Sequence, residues 1–198
     1  MFESDRNISN IIHEEMQSYF TLIVDALNLV GKAYFNLATT YEPNGIVRER
    51  VFCYELYHKM RCLQEIRGIT RLSLNGEIDK RGHIEFSIED RRNPDFVFHI
   101  PGHGDDNTFV IEVKGKINAT DCMKDFETIS TFIKRYRYKL GVFILYNHSL
   151  NEFKNALFQS FNDSFPAPEQ RITSRIFIIC KEGYETDAEV IRLDDLLI

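Results

Sequence analysis

The chain has 198 residues, of which 43% are hydrophobic and 27% charged, and its formal net charge is −6. That is enough apolar material for one compact core of ordinary globular composition, while the acidic balance argues against a protein whose main task is to coat nucleic acid. A nuclease remains open, because an acidic metal site adds charge that bound cations neutralise, and a local basic patch can hold DNA on an acidic protein.

Cys53, Cys62, Cys122 and Cys180 lie far apart in no CxxC or other zinc-ligand spacing, so they read as reduced thiols of the core or surface. Residues 1–20 show neither a basic leader nor a continuous apolar run, and the most apolar stretch, Tyr19 to Phe35, carries Asp25 and Lys32. A membrane span resists both charges, so a soluble, reducing, cytoplasmic setting is expected.

Ile12, Met16, Tyr19, Ile23, Ala26, Val30 and Leu37 form the apolar stripe of a long helix over about 9–37. The stripe suits packing against a core, and its near-heptad spacing also suits a homodimer or other partner seam, although e/g charge pairing is absent. A loop follows through Glu42-Pro43-Asn44-Gly45. A second helix, about 46–67, places Phe52, Leu56, Met60, Leu63 and Ile66 on one face and ends at Gly68. Residues 71–78 alternate as a strand with a bulge or turn at Asn75-Gly76.

Two strands, 95–100 and 108–114, flank a loop of turn residues from Pro101 to Asn107 and predict a hairpin. Thr120-Asp121 can cap a helix with the stripe Cys122, Phe126, Ile129, Ile133 and Tyr136. The continuous apolar run Val142 to Tyr146, just after Gly141, predicts a buried strand, so strand, helix and strand imply a parallel crossover. A helix near 150–161, a linker at Pro166 and Pro168, a strand near 175–180 and a short tail complete a single α/β domain. Within it, 1–45 form an N-terminal helical extension, 46–147 the core, and 148–198 a C-terminal helix and strand.

Chemistry concentrates on the hairpin. Alternation places Glu112 and Lys114 on one face of their strand, and Asp95, Val97 and His99 on one face of the preceding strand. With the loop centred between His103 and Gly104, symmetric pairing puts Asp95 directly across from Glu112, their Cβ atoms about 5 Å apart. Like charges so placed destabilise a sheet unless a cation compensates them or a pKa rises. Hard oxygen ligands, few in number, suit Mg²⁺ or Mn²⁺ better than zinc. The Lys114 ammonium is suited to orienting or helping to deprotonate the attacking water, or to neutralising charge on the phosphate. His58, His99 and His103 read as surface or packing histidines.

Pro94-Asp95 followed by Glu112-Val113-Lys114 at the end of a hydrophobic hairpin resembles the signature of the PD-(D/E)XK phosphodiesterase superfamily. The wider setting, NPDFVFH, a polar loop and NTFVIEVK, is similar to an uncharacterised bacterial nuclease-like group. Glu49-Arg50 resembles that group's ER helix, and Glu77 stands where a similar acid precedes the hairpin. The resemblance covers about 47–147 and implies a restriction-endonuclease-like core: helix, three-stranded antiparallel meander, crossover helix and further strand. By that resemblance Asp95 and Glu112 bind metal with the Val113 carbonyl, Lys114 assists the nucleophile, and Glu49 contributes from the helix. Glu55 is the alternative helical acid, but Glu49 shares the stripe of Cys53, Leu56 and Met60.

The stretch from Lys134 to Lys139, with Lys134, Arg135, Arg137 and Lys139 interleaved with tyrosines, suits a phosphate-tracking, base-stacking patch. It equally suits a helix C-terminus whose cations complement the macrodipole. The reading that follows is a Mg²⁺-dependent deoxyribonuclease, by resemblance in bacterial defence or restriction. Its alternative is a non-catalytic nuclease-like module that binds nucleic acid or a protein partner.

Overall fold

The structure, a computed structural model, describes residues 14–42, 45–76, 93–103, 106–156 and 173–196. In chain order the elements are α1 (Glu14–Asn28), α2 (Lys32–Phe35), α3 (Glu49–Arg67), β1 (Ser73–Gly76), β2 (Phe96–His99), β3 (Phe109–Lys114) and α4 (Ala119–Arg135). There follow β4 (Leu140–Tyr146), α5 over residues 150–156, β5 (Ile176–Lys181), β6 (Glu189–Arg192) and α6 (Leu193–Leu196).

The described strands form one six-stranded sheet in the order β1-β2-β3-β4-β5-β6. β1, β2 and β3 run antiparallel as a meander, β4 and β5 run parallel to β3, and β6 returns antiparallel to β5. Alternation splits the apolar side chains into two cores, which makes the α/β class a three-layer arrangement. On one face α1 and α3 pack with Tyr19, Leu22, Ile23, Phe52 and Leu56 against Phe98, Ile111 and Ile144. On the other, Cys122, Phe126 and Ile129 of α4 pack with Phe153, Leu193 and Leu196 against Val97, Val110 and Phe143.

The expected long first helix is two helices. It stops at Asn28, and Gly31, with extended backbone (φ −69°, ψ 150°), starts the short α2; Ile12 lies outside the described residues. Over 14–28 its apolar stripe is taken up inside the chain, with Tyr19, Ile23 and Ala26 no more than 1% exposed. The dimer-seam reading therefore has no open apolar stripe on that helix. Tyr19 Oη accepts from the Leu72 amide at 2.7 Å, and Asp25 pairs with Arg67 at 2.7 Å, which docks α1 on α3 and the approach to β1.

The second helix begins at Glu49, because Ile46 is committed to a bridge with Leu37 and Arg48 is extended. It ends as expected at Gly68, whose left-handed φ of 66° lets its amide and that of Ile69 satisfy the last carbonyls. Asn75 and Gly76 are not a turn: they pair with Val97 and Phe96. The cap of α4 is Asn118, whose side chain accepts from the Asp121 amide at 3.1 Å, and not Thr120. The tail adds β6 and α6, which sequence periodicity alone does not reveal. Glu77, Pro166, Pro168 and the far end of the expected 150–161 helix lie outside the described residues. Among the described residues no helix is long and apolar enough to cross a membrane.

Candidate active site

Phe96 pairs with Ile111, Val97 with Val110 and Phe98 with Phe109. Continued outward by one step, that register sets Asp95 across from Glu112. β2 has ended by this point, and the Asp95 side chain takes over its role. Its Oδ2 accepts from the Val113 amide at 2.7 Å, a bond that the next residue of a strand would otherwise provide. Glu112 shares its sheet face with Val110 and Val97, is 6% exposed, and neighbours the Asp95 carboxyl closely enough for the two to influence each other's protonation.

Burial is the main force on both acids. It raises Asp95 to about 6, partly offset by the bond from Val113, and the charge of Glu49 adds to the rise. Burial pushes Glu112 well above the usual carboxylate range, and the neighbouring charges of Asp95 and Asp125 push the same way. Two like groups facing each other in a low-dielectric setting cannot both ionise cheaply, so the more deeply placed Glu112 keeps its proton longer.

Lys114, one step further along the same face, lies at the end of β3. Its Nζ is 3.1 Å from Asp125 Oδ2 and 3.3 Å from Glu49 Oε1. Burial alone draws the ammonium's pKa down, but Asp125 and Glu49 outweigh it and hold Lys114 above the ordinary lysine value. It is a fixed positive charge at neutral pH. Burial raises Asp125 to about 6, against the opposing pull of Lys114.

Glu49, in the first turn of α3, reaches the site with both oxygens, because its Oε2 also accepts from the Gly115 amide at 3.3 Å. Glu55 points elsewhere and pairs with Lys59 at 3.0 Å. Gly115 is where the elements meet. A Cβ there would fall 2.6 Å from Val47 Cγ1 and closer still to the Tyr146 ring and hydroxyl. Only a residue without a side chain lets the end of β3 approach α3 and β4 so closely.

Asp95, Glu112, Lys114 and Glu49 thus meet at the carboxyl edge of the parallel strands, the edge where open α/β sheets commonly bind ligands. Asp125 joins them, and the sequence reading missed it. The signal was present, since Asp125 lies three residues after Cys122 and four before Ile129, on the buried stripe of α4. An acid on an inward stripe needs a partner, and here it is Lys114.

Lys134, Arg135, Arg137 and Lys139 do not join this cluster. They are exposed at the far end of α4, where the Lys139 amide donates to the Asn107 carbonyl at the opposite end of β3. A six-residue strand, about 20 Å long, separates them from Lys114. Tyr136 and Tyr138 are buried, so no aromatic face is offered there for stacking. His99 is a sheet residue bonded to Asn75 at 3.0 Å, and His58 lies against Cys62 on the open side of α3.

Buried Glu112 and half-buried Asp95, two carboxyls on one face whose charges oppose each other, are donors of the kind a hard cation prefers. Mg²⁺ is typically held by one or two carboxylates, with water and substrate phosphate completing its shell. Among the described residues no group of three or more His, Cys, Asp or Glu side chains is set to hold a metal ion. Asp95 and Glu112 are two oxygen-donor side chains of that kind, short of a full ligand set. No family model matches the chain, and no curated protein or solved structure matches it.

Proposed function

We propose that the chain is a Mg²⁺- or Mn²⁺-dependent nuclease that hydrolyses DNA phosphodiester bonds. The observation that carries this reading is the hairpin register, which sets Asp95 against Glu112 with Lys114 one step along the same face. The order of α3, the β1-β2-β3 meander, α4 and parallel β4 supports a restriction-endonuclease-like core around it.

Asp95 and Glu112, with the Val113 carbonyl, would hold the cation, which supplies Lewis acidity toward the phosphate and a more acidic bound water. Hydrolysis forms a bond from water oxygen to phosphorus and breaks the bond from phosphorus to the leaving sugar oxygen; the water's proton passes to solvent, and the leaving oxygen takes one up from solvent. Lys114 enters this as a charge. With its pKa raised by Asp125 and Glu49 it stays an ammonium, so it orients the water and offsets the charge that builds on the phosphoryl oxygens. It does not take the water's proton. Glu49 and Asp125 are positioning residues that fix the ammonium between them.

A second reading, a nuclease-like module that binds nucleic acid or a protein without cleaving, draws on the same ion pairs, since Lys114 is already neutralised by two carboxylates. Plasmid, linear DNA and RNA incubated with Mg²⁺ or Mn²⁺, with wild type compared with Asp95→Ala and Lys114→Ala, separates the two. Metal-dependent cleavage lost in both variants supports the nuclease. Cleavage persisting in both removes the site, and no cleavage together with no metal-dependent stabilisation moves the reading to the binding module.

A further inference from the structure

The acidic cluster poses a problem for a polyanionic substrate, because Glu49, Asp95, Glu112 and Asp125 surround a single lysine on a chain of net charge −6. Phosphate contacts elsewhere must make up the attraction. Several cations are already committed: Arg61 to Glu65, Arg67 to Asp25, Arg71 to Glu15 and Asp106, Lys124 to Asp121, and Arg192 to Asp195. Arg48 and Lys116 are exposed and have no ion-pair partner among the described residues.

Their placement is what distinguishes them. Arg48 precedes Glu49, and Lys116 follows Gly115, while the Gly115 amide and Glu49 Oε2 are 3.3 Å apart. Val47 also packs where a Gly115 side chain would stand. Two independent contacts therefore clamp 47–49 against 115–116 and bring one exposed cation from each segment to the rim of the site. The two arms differ in chemistry: the arginine offers a planar fork that suits phosphate oxygens, and the lysine a mobile point charge.

We propose that Arg48 and Lys116 form a two-cation clamp for the phosphodiester backbone of nucleic acid at the mouth of the Asp95–Glu112 site, in place of the Lys134–Lys139 stretch. The clamp rests on the nuclease reading for its purpose but not for its measurement. Each phosphate contact contributes close to one unit to the slope of log affinity against log salt.

The test is binding of a labelled DNA duplex, with an RNA duplex in parallel, over a range of salt in Ca²⁺ buffer, for wild type, Arg48→Gln/Lys116→Gln and Lys134→Gln/Lys139→Gln. The expected result is a slope shallower by about 2 in Arg48→Gln/Lys116→Gln, with an affinity loss of about tenfold or more at low salt. A thermal melt matching wild type shows that the variant is folded, as its exposed positions imply. An unchanged slope and affinity in that variant overturns the clamp, as does a loss confined to Lys134→Gln/Lys139→Gln, or a wild type that binds neither duplex.

Cleavage measured alongside with Mg²⁺ separates the two claims. Wild-type cleavage with KM unchanged in Arg48→Gln/Lys116→Gln sinks the clamp and leaves the nuclease standing. Binding through the clamp without any cleavage supports the clamp and sinks the nuclease.

Discussion

Lys114 Nζ lies 3.3 Å from Glu49 Oε1, so the end of β3 is tied to the first turn of α3 across 65 residues of chain. The same nitrogen holds Asp125 of α4 at 3.1 Å. One cation therefore joins both helical layers at the edge of the sheet. Lys114→Met removes it and leaves Glu49 and Asp125 facing the acidic pair with no counter-charge. Breaking a partly buried ion pair from one side costs more than the pair contributes, because a desolvated charge is left behind. We expect Lys114→Met to destabilise the chain by about 2 kcal/mol at about pH 8, with cleavage down by at least about 100-fold. The destabilisation should shrink toward about pH 5, where Asp125, already raised to about 6 beside the lysine, takes up its proton. Denaturant unfolding at both pH values measures it, and an equal loss at both would mean that packing of the lysine stem, not charge, is what matters.

The pH dependence of the parent chain follows from the raised carboxyls. Asp95 binds its proton at about 6 in the folded chain against 3.8 as its ordinary value. Between those values the folded state holds more protons than the unfolded state, so stability falls as pH rises, and the fall is complete above about 6. Asp125, raised to about 6, and Glu112, raised further, add in the same direction. Without divalent cations the chain should be more stable at about pH 5 than at about pH 8. Asp95→Asn, by removing the charge, should flatten that profile and add on the order of 1–2 kcal/mol at the higher pH while abolishing cleavage. Urea melts across pH decide it; a profile that rises with pH in this range contradicts the raised values.

Metal addition should act on the same groups with the opposite sign. A cation held by Asp95 and Glu112 competes with their protons, so Mg²⁺ or Mn²⁺ should raise Tm at about pH 8 and do little at about pH 5. Chelation should reverse the gain. The Glu112→Gln variant should show almost none of it, and a metal-induced shift that survives both Glu112→Gln and Asp95→Asn would place the cation elsewhere on the chain.

The parts of this site that the sequence displays are those governed by short-range rules. The two-residue period of β2 and β3, with a loop centred between His103 and Gly104, was enough to set Phe96 against Ile111 and hence Asp95 toward Glu112. The stripe of α3 likewise set Glu49, and not Glu55, against the end of β3. What the sequence hid depended on contacts between distant segments or on choices among near-equal local signals. Asn118 and Thr120 are both competent caps, and Asn118 won. The first helix breaks before Gly31 although its apolar stripe continues, since periodicity carries no record of where a chain turns to cover a core. The tyrosines between the Lys134–Lys139 cations read as a stacking ladder by composition, yet Tyr136 and Tyr138 fill the core beneath α4. Asp125 was legible by period but not by motif, because its partner, Lys114, is brought to it only by the β3-α4 turn.

Gly115 gives the sharpest steric test of how the site is assembled. The Tyr146 ring lies flat on Phe52, with centroids 3.7 Å apart and planes within 3°, so it has no room to yield to a new methyl group at Gly115. Val47 closes the other side. Gly115→Ala should therefore cost about 1–3 kcal/mol, the usual range for overpacking a tight interior, and should pull the Gly115 amide away from Glu49 Oε2. The functional signature follows from that second effect. Loosening Glu49 frees one side of Lys114, so cleavage should fall even under conditions where Gly115→Ala is fully folded. Tyr146→Phe serves as the companion variant. The Tyr146 hydroxyl is buried with no hydrogen-bond partner among the described residues, so its removal should leave stability unchanged or raise it slightly. In Gly115→Ala/Tyr146→Phe, loss of the hydroxyl should recover part of the Gly115→Ala cost, while the contact with the ring carbon and Val47 persists. Additive unfolding energies in the double variant would show that the two positions do not press on each other.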